Sequence, residues 1–330
     1  MINARQIHLV RRPNGVPVAA DFALVDAQVA DAGEGEIQVS ALLMSVDPYM
    51  RPRLNADQAL DTPLLGGGIG RVVQSRNARF KEGDLVRHGV GFREVFLSDG
   101  LGVAVLERDP ALPLTVYMHA LGGTGITAYG GLLGTGALKD GEQVFISTAA
   151  GAVGSVAAQI AKIKGCWVVG STGTDDKAAW LRDEVGLDAV INYKTDDVPA
   201  KVKEAAGGAG IRVWYETQPP TDLDRTVELM APRGRVVVMA GRAARPEFPN
   251  GPFYVKGLSL HGFAMFNATP DEQRVCGMDV AQWLGQGKIK AVIGARFPLA
   301  DAAKAHELQE ANTGKKAGTL SGKIVVLPTA

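Results

Sequence analysis

The sequence predicts an α/β fold in which a doubly wound parallel sheet is joined to a separate β-rich domain. Short strand-like runs divided by glycine turns fill roughly the first 120 residues, which is typical of an all-β body. Beyond Gly125 helices alternate with strands, and the strands number six, as in a complete doubly wound sheet. One strand-to-helix turn, at Thr148–Gly154, carries glycines at the spacing of a phosphate-binding loop.

Seven strand-like segments make up the β-rich front of the chain, separated by turns such as Pro-Asn-Gly and Lys-Glu-Gly-Asp. They are Gln6–Val10, Phe22–Val25, Ile37–Val46, Ile69–Gln74, Leu85–Val90, Arg93–Leu97 and Val103–Leu106. The tail offers a helix at Asp301–Asn312 and a strand at Lys323–Leu327, and we expect it to pair back into the front domain. The predicted domains are residues 1–122 with 292–330, and residues 123–291.

The middle of the chain alternates strands with helices, which indicates βαβ units and a parallel sheet. The predicted strands are Val144–Ile146, Cys166–Gly170, Asp188–Asn192, Arg212–Tyr215, Arg235–Ala240 and Leu258–Phe263. The predicted helices are Val153–Ile163, Lys177–Val185, Pro199–Ala206, Asp224–Met230 and Asp271–Gln286.

The turn at Thr148–Gly154 joins the first of these strands to the first helix. It fits the G-x-G-x-x-G fingerprint of dinucleotide-binding sheets, with Ala149 at the first position. Gly151 permits close approach of the backbone to a pyrophosphate, and Gly154 permits close packing of the helix on the strand. The helix N-terminus offers unpaired N–H groups and the positive end of its dipole to the anion. The sequence thus predicts a Rossmann sheet that binds a dinucleotide.

The end of the second strand distinguishes between the two nicotinamide coenzymes. NAD sites place Asp or Glu there to hold the ribose diol, whereas this chain has Ser171–Gly173, followed a turn later by Lys177. Hydroxyls and a cation suit a 2′-phosphate, which a carboxylate would repel. Asp175 and Asp176 are the alternative acids, and we interpret them as water-facing residues in the first turn of a helix. The pattern therefore favours NADPH.

Composition excludes several other classes of protein. The chain has 330 residues, 46% of them hydrophobic, and its 35 basic and 35 acidic residues cancel, so no net field favours nucleic acid or an anionic membrane. Met1–Val10 lacks the apolar core of a signal peptide and no later run is long enough to span a membrane, so we expect a cytoplasmic protein. Cys166 and Cys276 are expected to be reduced and buried.

Four segments together resemble the medium-chain dehydrogenase/reductase superfamily. They are the β-rich front of the chain, the segment Gly125–Tyr129, the turn Ala149–Ser155 and the returning C-terminal strand. Within that superfamily, the heptad Ser45–Arg51 is similar to the signature of a zinc-free branch that contains prostaglandin and leukotriene reductases, plant alkenal double-bond reductases and bacterial curcumin reductases. The resemblance implies a GroES-like catalytic domain beside the Rossmann domain. It also implies a homodimer, which Leu258–Phe263 at the sheet edge could join across a twofold axis.

The inventory of metal ligands agrees with a zinc-free protein. A catalytic zinc needs thiolate or imidazole ligands, and a structural zinc needs closely spaced cysteines. The 5 histidines are scattered, and Gly66–Gly68 stands where alcohol-oxidising relatives carry Gly-His-Glu. We therefore expect no metal site. The chain also lacks the Gly-x-Ser-x-Gly elbow of hydrolases and a Walker-type loop.

Without a metal, oxidation of an alcohol is difficult, and hydride delivery to an already electrophilic carbon is favoured. An α,β-unsaturated aldehyde or ketone offers such a carbon, since hydride adds at the β-carbon while negative charge develops on the carbonyl oxygen. A neighbouring O–H group would stabilise that oxygen. The resemblance implies that Tyr49 lies at the substrate pocket, and a phenol of ordinary pKa, about 10, is protonated at neutral pH. A purely structural tyrosine after Pro48 is the alternative.

The resemblance also implies a set of contacts, carried over residue by residue. The expected coenzyme contacts are Thr127, Ala149, Ala150, Gly151, Ala152, Val153, Gly154, Ser171, Thr172, Lys177, Tyr193, Ala240, Gly241, Phe263, Met265 and Asn312. The expected substrate contacts are Tyr49, Met50 and Phe266. The alternative for Lys177 is an ordinary solvated lysine. The alternative for Phe263, Met265 and Phe266 is that they are core residues with no contact to the coenzyme or substrate.

Two departures from the family pattern bear on these contacts. Tyr215–Pro220 replaces a usual Asp-Asn-Val-Gly-Gly, which removes a coenzyme-facing Asn and brings in Glu216. The usual Asn-x-Gly-Lys before the last strand matches either Asn312–Lys315 or Leu320–Lys323, and only the first keeps the Asn. The sequence favours an NADPH-dependent 2-alkenal or enone reductase that takes a small electrophilic carbonyl substrate. A quinone reductase and a non-catalytic NADPH-binding protein are the rival interpretations.

Overall fold

The computed structural model describes residues 1–218, 222–240, 247–315 and 317–328. The chain divides into two compact units. The first comprises Met1–Met118, Ile293–Lys315 and the segment that begins at Lys323, and the second comprises His119–Val292 and the segment that ends at Gly322. Among the described helices, none has the length and apolarity needed to cross a bilayer.

The front of the first unit consists of short strands and one short helix. The strands are β1 Ile2–Leu9, β2 Phe22–Val29, β3 Ile37–Val46, β4 Thr62–Pro63, β5 Gly68–Ser75, β6 Leu85–His88, β7 Val95–Ser98 and β8 Ala104–Val105. β1 pairs antiparallel with β2 and with β4 in a three-stranded sheet. Helix α1 spans Met50–Asn55 and follows β3 directly, with Tyr49 as its N-cap residue.

The second unit is built on a six-stranded sheet. Its strands are β9 Gln143–Ile146, β10 Trp167–Thr172, β11 Ala189–Asn192, β12 Ile211–Glu216, β13 Met230–Val238 and β14 Ser259–Gly262. All neighbours are parallel, and the order is β11-β10-β9-β12-β13-β14. This order confirms the predicted doubly wound sheet. Because it reverses between β9 and β12, the carboxyl ends of these two strands flank the point where such sheets bind dinucleotides.

Seven α-helices of the second unit are described. They are α2 Gly123–Tyr129, α3 Ala152–Ile163, α4 Asp175–Asp183, α5 Val198–Ala206, α6 Leu223–Leu229, α7 Asn250–Lys256 and α8 Pro270–Gly285. The five predicted helices lie within two residues of α3 to α6 and α8, whereas α2 and α7 were not predicted as helices. α2 continues into a π-helical turn at Gly130–Thr135, which the apolar pattern of the sequence does not predict.

The tail adds a strand, a helix and a second strand to the first unit: β15 Ile293–Pro298, α9 Ala302–Thr313 and β16 Lys323–Leu327. β16 pairs parallel with β15 and antiparallel with β3. The sheet runs β15-β16-β3-β5-β6-β8, with β7 also on β3. The predicted return of the tail strand to the front domain is therefore confirmed.

Each unit has an apolar core of its own. In the second unit the rings of Phe145 and Trp214 stack with centroids 3.9 Å apart, which joins β9 to β12 under the sheet surface. In the first unit the core gathers residues of β3, β5, β6 and β7, together with two loop residues: Ile37, Val39, Val72, Phe80, Val86, Phe96 and Val103. Burial of these apolar side chains stabilises each sheet, which then supports the loops that follow its strands.

Candidate functional site

The glycine turn after β9 is held by the end of β10. Thr148 has φ +44°, in the left-handed region that a β-branched residue rarely adopts. Its N–H donates to Ser171 Oγ at 3.2 Å, and the N–H of Ala149 donates to Ser171 O at 2.8 Å. The N–H of Gly151 donates back to Thr148 O at 2.8 Å. The turn is thus a fixed backbone feature.

Close packing of α3 on this turn requires glycine at position 154. A Cβ on Gly154 would lie 2.3 Å from Thr148 O and 2.9 Å from Ala149 Cα, and both are backbone atoms. α3 begins at the N-cap Gly151 without a side-chain cap. Its first-turn N–H groups are therefore not taken by a capping side chain, which suits an anion at the helix N-terminus.

The other expected residues of the turn lie where the fingerprint puts them. Ala149 and Ala150 are the buried residues of the glycine turn. Ala152 and Val153 are half-buried at the start of α3. The carbonyl of Ala150 accepts the N–H of Gly322 at 2.9 Å. The segment that leads into β16 therefore adjoins the turn.

A cluster of hydroxyl groups bridges β9 and β12 at the switch point. The Thr217 hydroxyl donates to Ser147 O at 2.7 Å, and its oxygen lies 2.5 Å from Thr148 Oγ1. The N–H of Thr217 donates to Ser147 Oγ at 2.7 Å. The sequence did not identify Thr217, although its place directly after β12 was a usable signal. These hydroxyls fix the two strand ends against each other.

Glu216, which the sequence placed near the coenzyme, turns inward. It is 7% exposed, and its carboxylate accepts the Trp214 indole N–H at 3.2 Å and the Gln218 N–H at 2.9 Å. The carboxylate is thus satisfied by its own strand and loop. Of the substituted segment, residues 219 and 220 lie outside the described residues.

The hydroxyls expected at a 2′-phosphate are largely enclosed. Ser171 and Thr172 are only 2% and 3% exposed. The Ser171 Oγ accepts an N–H of the turn, so this residue also supports the turn, and its contact with a 2′-phosphate stays a prediction. Thr172 contributes its carbonyl, which accepts the N–H of Tyr193 at 2.9 Å.

Two lysines meet the segment that precedes β16. Lys177 Nζ donates to the carbonyls of Gly318 and Leu320 at 2.5 and 2.6 Å, and Lys194 Nζ donates to that of Ala317. Burial, followed by the nearby charge of Lys194, lowers the pKa of Lys177 to about 8. Lys177 is therefore not an ordinary solvated lysine, and it is still largely charged at neutral pH.

The remaining groups at this corner agree with a phosphorylated coenzyme. A Cβ on Gly173 would lie 2.5 Å from the Tyr193 hydroxyl, so only glycine fits beneath that ring. Asp175 and Asp176 are exposed in the first turn of α4, as predicted. Asp175 also accepts the side-chain N–H of Asn192 at 2.9 Å. No carboxylate directly follows β10.

The structure chooses between the two matches to Asn-x-Gly-Lys. Leu320–Lys323 leads directly into β16 and adjoins the glycine turn through Gly322. Asn312 instead lies inside α9 of the first unit, where its side-chain amide donates to Leu308 O at 2.9 Å. The match that includes Asn312 is therefore corrected, and Leu320 occupies the position that is Asn in the family motif.

Phe263 and Met265, expected near the nicotinamide, pack against opposite ends of α2, Phe263 at its C-cap and Met265 at its first residue. A Cβ on Gly130 would lie 2.4 Å from Phe263 Cζ, and one on Gly123 would lie 2.5 Å from Met265 Sδ. The Thr127 hydroxyl donates within its helix to the carbonyl of Gly123 at 2.8 Å. These residues are half-buried, so their surfaces are partly available beyond this packing.

The last expected residues of the second unit differ in exposure. Ala240 is exposed in the loop after β13, and Gly241 lies outside the described residues. Phe266 is 65% exposed. Most of this side chain is therefore exposed to solvent.

Tyr49 of the first unit has a strongly perturbed phenol. Burial, with the charge of Asp47 adding to it, raises the pKa of Tyr49 to about 12. The guanidinium carbon of Arg53 lies 5.6 Å from the ring centroid, and this cation acts in the opposite direction. Met50 is 2% exposed and packs near Gly66, so a substrate contact at Met50 would require it to leave the core.

Within the described ranges, no group of three or more His, Cys, Asp or Glu side chains is arranged to hold a metal ion. Gly66–Gly68 lies at the start of β5, and the nearest histidine ring, His88, is 5% exposed. Burial lowers the pKa of His88 to about 4, so this imidazole is neutral at physiological pH.

Comparison with known families matches two domain models. Residues 5–106 match the N-terminal domain of oxidoreductase, and residues 152–280 match the zinc-binding dehydrogenase domain. The chain is 32% identical to prostaglandin reductase 1 of Bos taurus, over 88% of the chain and 90% of that protein. It is 30% identical to the NADPH-dependent curcumin reductase of Escherichia coli, over 85% of the chain and 86% of that protein.

Comparison with solved structures gives the same result. The structure of CurA from Vibrio vulnificus in complex with NADPH superposes with a TM-score of 0.87 at 29% identity, covering 99% of both chains.

Replacing Gly154 with alanine should disrupt the turn, because the added Cβ would meet backbone atoms that cannot move aside. We expect the Kd for NADPH, measured by quenching of protein fluorescence, to rise about tenfold or more. Gly277→Ala is the matched control, since a Cβ there has nothing within 4 Å. An unchanged Kd in Gly154→Ala would contradict the assignment of this turn to the coenzyme.

Proposed function

Because the chain belongs to the zinc-free branch of the medium-chain dehydrogenase/reductase superfamily, we propose that it is an NADPH-dependent reductase of the C=C bond in α,β-unsaturated aldehydes and ketones. The observation that carries the proposal is Tyr49, a half-buried tyrosine in the family heptad. Its pKa of about 12 keeps the phenol protonated at neutral pH. The names of the related prostaglandin and curcumin reductases support a small carbonyl compound as substrate.

The residues at the glycine turn fit NADPH. Gly151 permits the backbone to approach a pyrophosphate, Gly154 lets α3 pack directly on the turn, and the N-terminus of α3 has no side-chain cap. Lys177 supplies a cation beside the end of β10, where no carboxylate would repel a 2′-phosphate. When bound, NADPH supplies the hydride.

Tyr49 activates the substrate in the proposed reaction. Its O–H donates a hydrogen bond to the substrate's carbonyl oxygen, which withdraws electron density from the β-carbon. As the C=C electrons move toward oxygen, the developing enolate accepts a stronger, charge-assisted bond from the same phenol. The α-carbon then takes a proton from solvent water, which leaves hydroxide and completes the saturated product. The high pKa of Tyr49 keeps the donor proton in place throughout the physiological range.

Replacing Tyr49 with phenylalanine should remove this donor while keeping the ring. With a 2-alkenal as substrate, we expect kcat to fall about a hundredfold, the effect of removing one oxyanion donor, while the Kd for NADPH stays unchanged. Steady-state oxidation of NADPH, followed by its absorbance, measures the rate. Tyr254→Phe is the control, because this tyrosine is 74% exposed and belongs to no proposed site.

The same assay tests the substrate class. A 2-alkenal, a cyclic enone and a benzoquinone are compared at equal NADPH, and turnover is expected with the first two. Turnover of the quinone alone would favour a quinone reductase, and tight NADPH binding without oxidation by any of the three would favour a non-catalytic protein. Full activity of Tyr49→Phe on the alkenal would remove the proposed role of the phenol.

NADPH affinity should weaken at alkaline pH because of Lys177. This lysine is charged below its pKa of about 8 and loses its charge as pH rises through that value. Between about pH 7 and 9.5 we expect the Kd for NADPH to rise about tenfold and that for NADH to change little. Isothermal titration at each pH measures both. In Lys177→Met the pH dependence should disappear, and if it persists another group is responsible.

We also infer that the protein forms a homodimer through β14. This strand lies at one edge of the six-stranded sheet, and its Leu260 is 40% exposed. A second copy related by a twofold axis would continue the sheet and cover that edge. Light scattering after size-exclusion chromatography should give twice the chain mass of 34.7 kDa. Leu260→Pro should shift this to the monomer, because the N–H of Phe263 donates to β13 and strand alternation therefore turns the N–H of Leu260 to the open edge. A monomeric parent protein would contradict the inference.

A further inference from the structure

A largely buried ion pair joins Lys323 to Asp47, which lies two residues before Tyr49. Lys323, the first residue of β16, is 2% exposed, and its Nζ donates to Val46 O at 2.9 Å. The same ammonium group forms an ion pair with Asp47 Oδ1. The second oxygen of this carboxylate accepts the hydroxyl of Ser45. Both carboxylate oxygens of Asp47 are therefore engaged.

The pairing of β3 with β16 brings these two charges together. Ile324 lies opposite Val46 and Val325 opposite Ser45 in an antiparallel register. Continuing that register by one residue places Lys323 opposite Asp47, where cross-strand side chains are close enough to bond. The contact is therefore specified by the sheet and not by a mobile surface loop.

An ion pair at this depth calls for an explanation beyond stability. Removing a lysine and an aspartate from water is energetically unfavourable, and apolar side chains of similar volume often stabilise a core as well or better. Lys323 has 2% of its surface exposed and Asp47 has 21% of its side chain exposed. A pair retained at such cost is expected to fix a geometry.

The geometry that it fixes is the start of α1. Asp47 lies two residues before Tyr49, and its carbonyl accepts the N–H of Met50 at 3.0 Å. The carbonyl of Pro48 accepts the N–H of Arg51 at 3.2 Å. Asp47 is thus bonded twice: its side chain pairs with Lys323, and its carbonyl accepts the N–H of Met50 at the start of the helix that Tyr49 caps.

We infer that Asp47 and Lys323 are positioning residues, which hold the turn at the start of α1 and with it the Tyr49 hydroxyl in the orientation that reduction requires. The inference rests on the proposed function, because the pair acts through Tyr49. Asp47 also acts on the phenol through space, since its negative charge opposes ionisation of Tyr49.

Three other titratable or charged groups face this turn. Arg53 lies over the phenol ring, and its charge favours ionisation of that ring. Arg51, 8% exposed, donates to the side chain of Asn55 and to a backbone carbonyl of the front loop. His306 is 4% exposed, and burial lowers its pKa to about 4, so it is neutral at pH 7. Lys323 therefore supplies the cation that bonds the carboxylate.

The test replaces both charges together, as Asp47→Asn with Lys323→Met, so that no buried charge is left without a partner. We expect a folded protein by circular dichroism, an unchanged Kd for NADPH, and a kcat on a 2-alkenal about tenfold lower, with little change in KM. The matched control is Arg5→Met with Glu94→Gln, an ion pair of the same unit with a bond of 2.9 Å from Arg5 Nε to Glu94 Oε1, which should leave kcat unchanged.

A double-mutant cycle separates positioning from general structural support. The pair replacement is introduced again into Tyr49→Phe, where no hydroxyl remains to be positioned. If the pair acts through Tyr49, kcat should not fall further in this background. An equal tenfold loss in both backgrounds would show a structural role and overturn the inference.

The pH profile of Asp47→Asn gives an independent readout. Removing the negative charge lowers the pKa of Tyr49 below about 12, so the alkaline decline of kcat should begin at lower pH than in the parent protein. The shift should vanish in the Tyr49→Phe background, and a shift that persists there contradicts the inference.

The experiments distinguish failure of the proposed role of Tyr49 from failure of the positioning inference. If Tyr49→Phe keeps full turnover, the proposed role of the phenol is wrong, and the inference that depends on it is wrong too. If Tyr49→Phe loses turnover while the pair variant keeps it, only the positioning inference is wrong.

Discussion

The carbonyl oxygen of Thr148 occupies the space that any side chain at position 154 would need, and the coenzyme edge of the second unit depends on this close approach. It lets α3 start directly beside the end of β9, so that the amides of its first turn lie at the switch point of the sheet. The left-handed backbone at Thr148 is an unfavourable conformation, which the bonds from β10 and the hydroxyl bridge to Thr217 hold in place. The backbone strain at Thr148 and the position of the α3 amides that we propose bind the coenzyme therefore have a common origin.

Burial acts on the two principal titratable groups with opposite consequences for their charge. It lowers the pKa of Lys177 to about 8, which brings the loss of its charge near the physiological range. It raises the pKa of Tyr49 to about 12, which moves ionisation far outside that range. The proposed chemistry needs a charged group at the first position and a neutral one at the second. A half-buried lysine satisfies the first need with little margin, whereas a half-buried tyrosine satisfies the second with a wide one.

Local sequence determined much of the fold and part of the site. The strands Ile37–Val46 and Lys323–Leu327 and the turn at Thr148–Gly154 were predictable, because alternation, β-branched residues and glycine spacing are properties of neighbours in the chain. Contacts between residues far apart in the chain were not predictable from local sequence. Ser171 accepts the amide N–H of a residue 23 positions away, and Lys177 donates to carbonyls 141 and 143 positions away. Asn312 was misassigned because a short motif occurs twice and only the strand pairing distinguishes the copies.

The position of β16 has a consequence for synthesis of the chain. This strand lies between β15 and β3, so the main sheet of the first unit is interrupted in the sequence by most of the second unit. On the ribosome, one side of β3 at residues 44–46 must therefore stay unpaired while the whole doubly wound sheet emerges, because β7 pairs only with residues 37–40 of that strand. A nascent chain that stops before Lys323 would keep that edge unpaired, exposing Val46 and its neighbours to association with other chains.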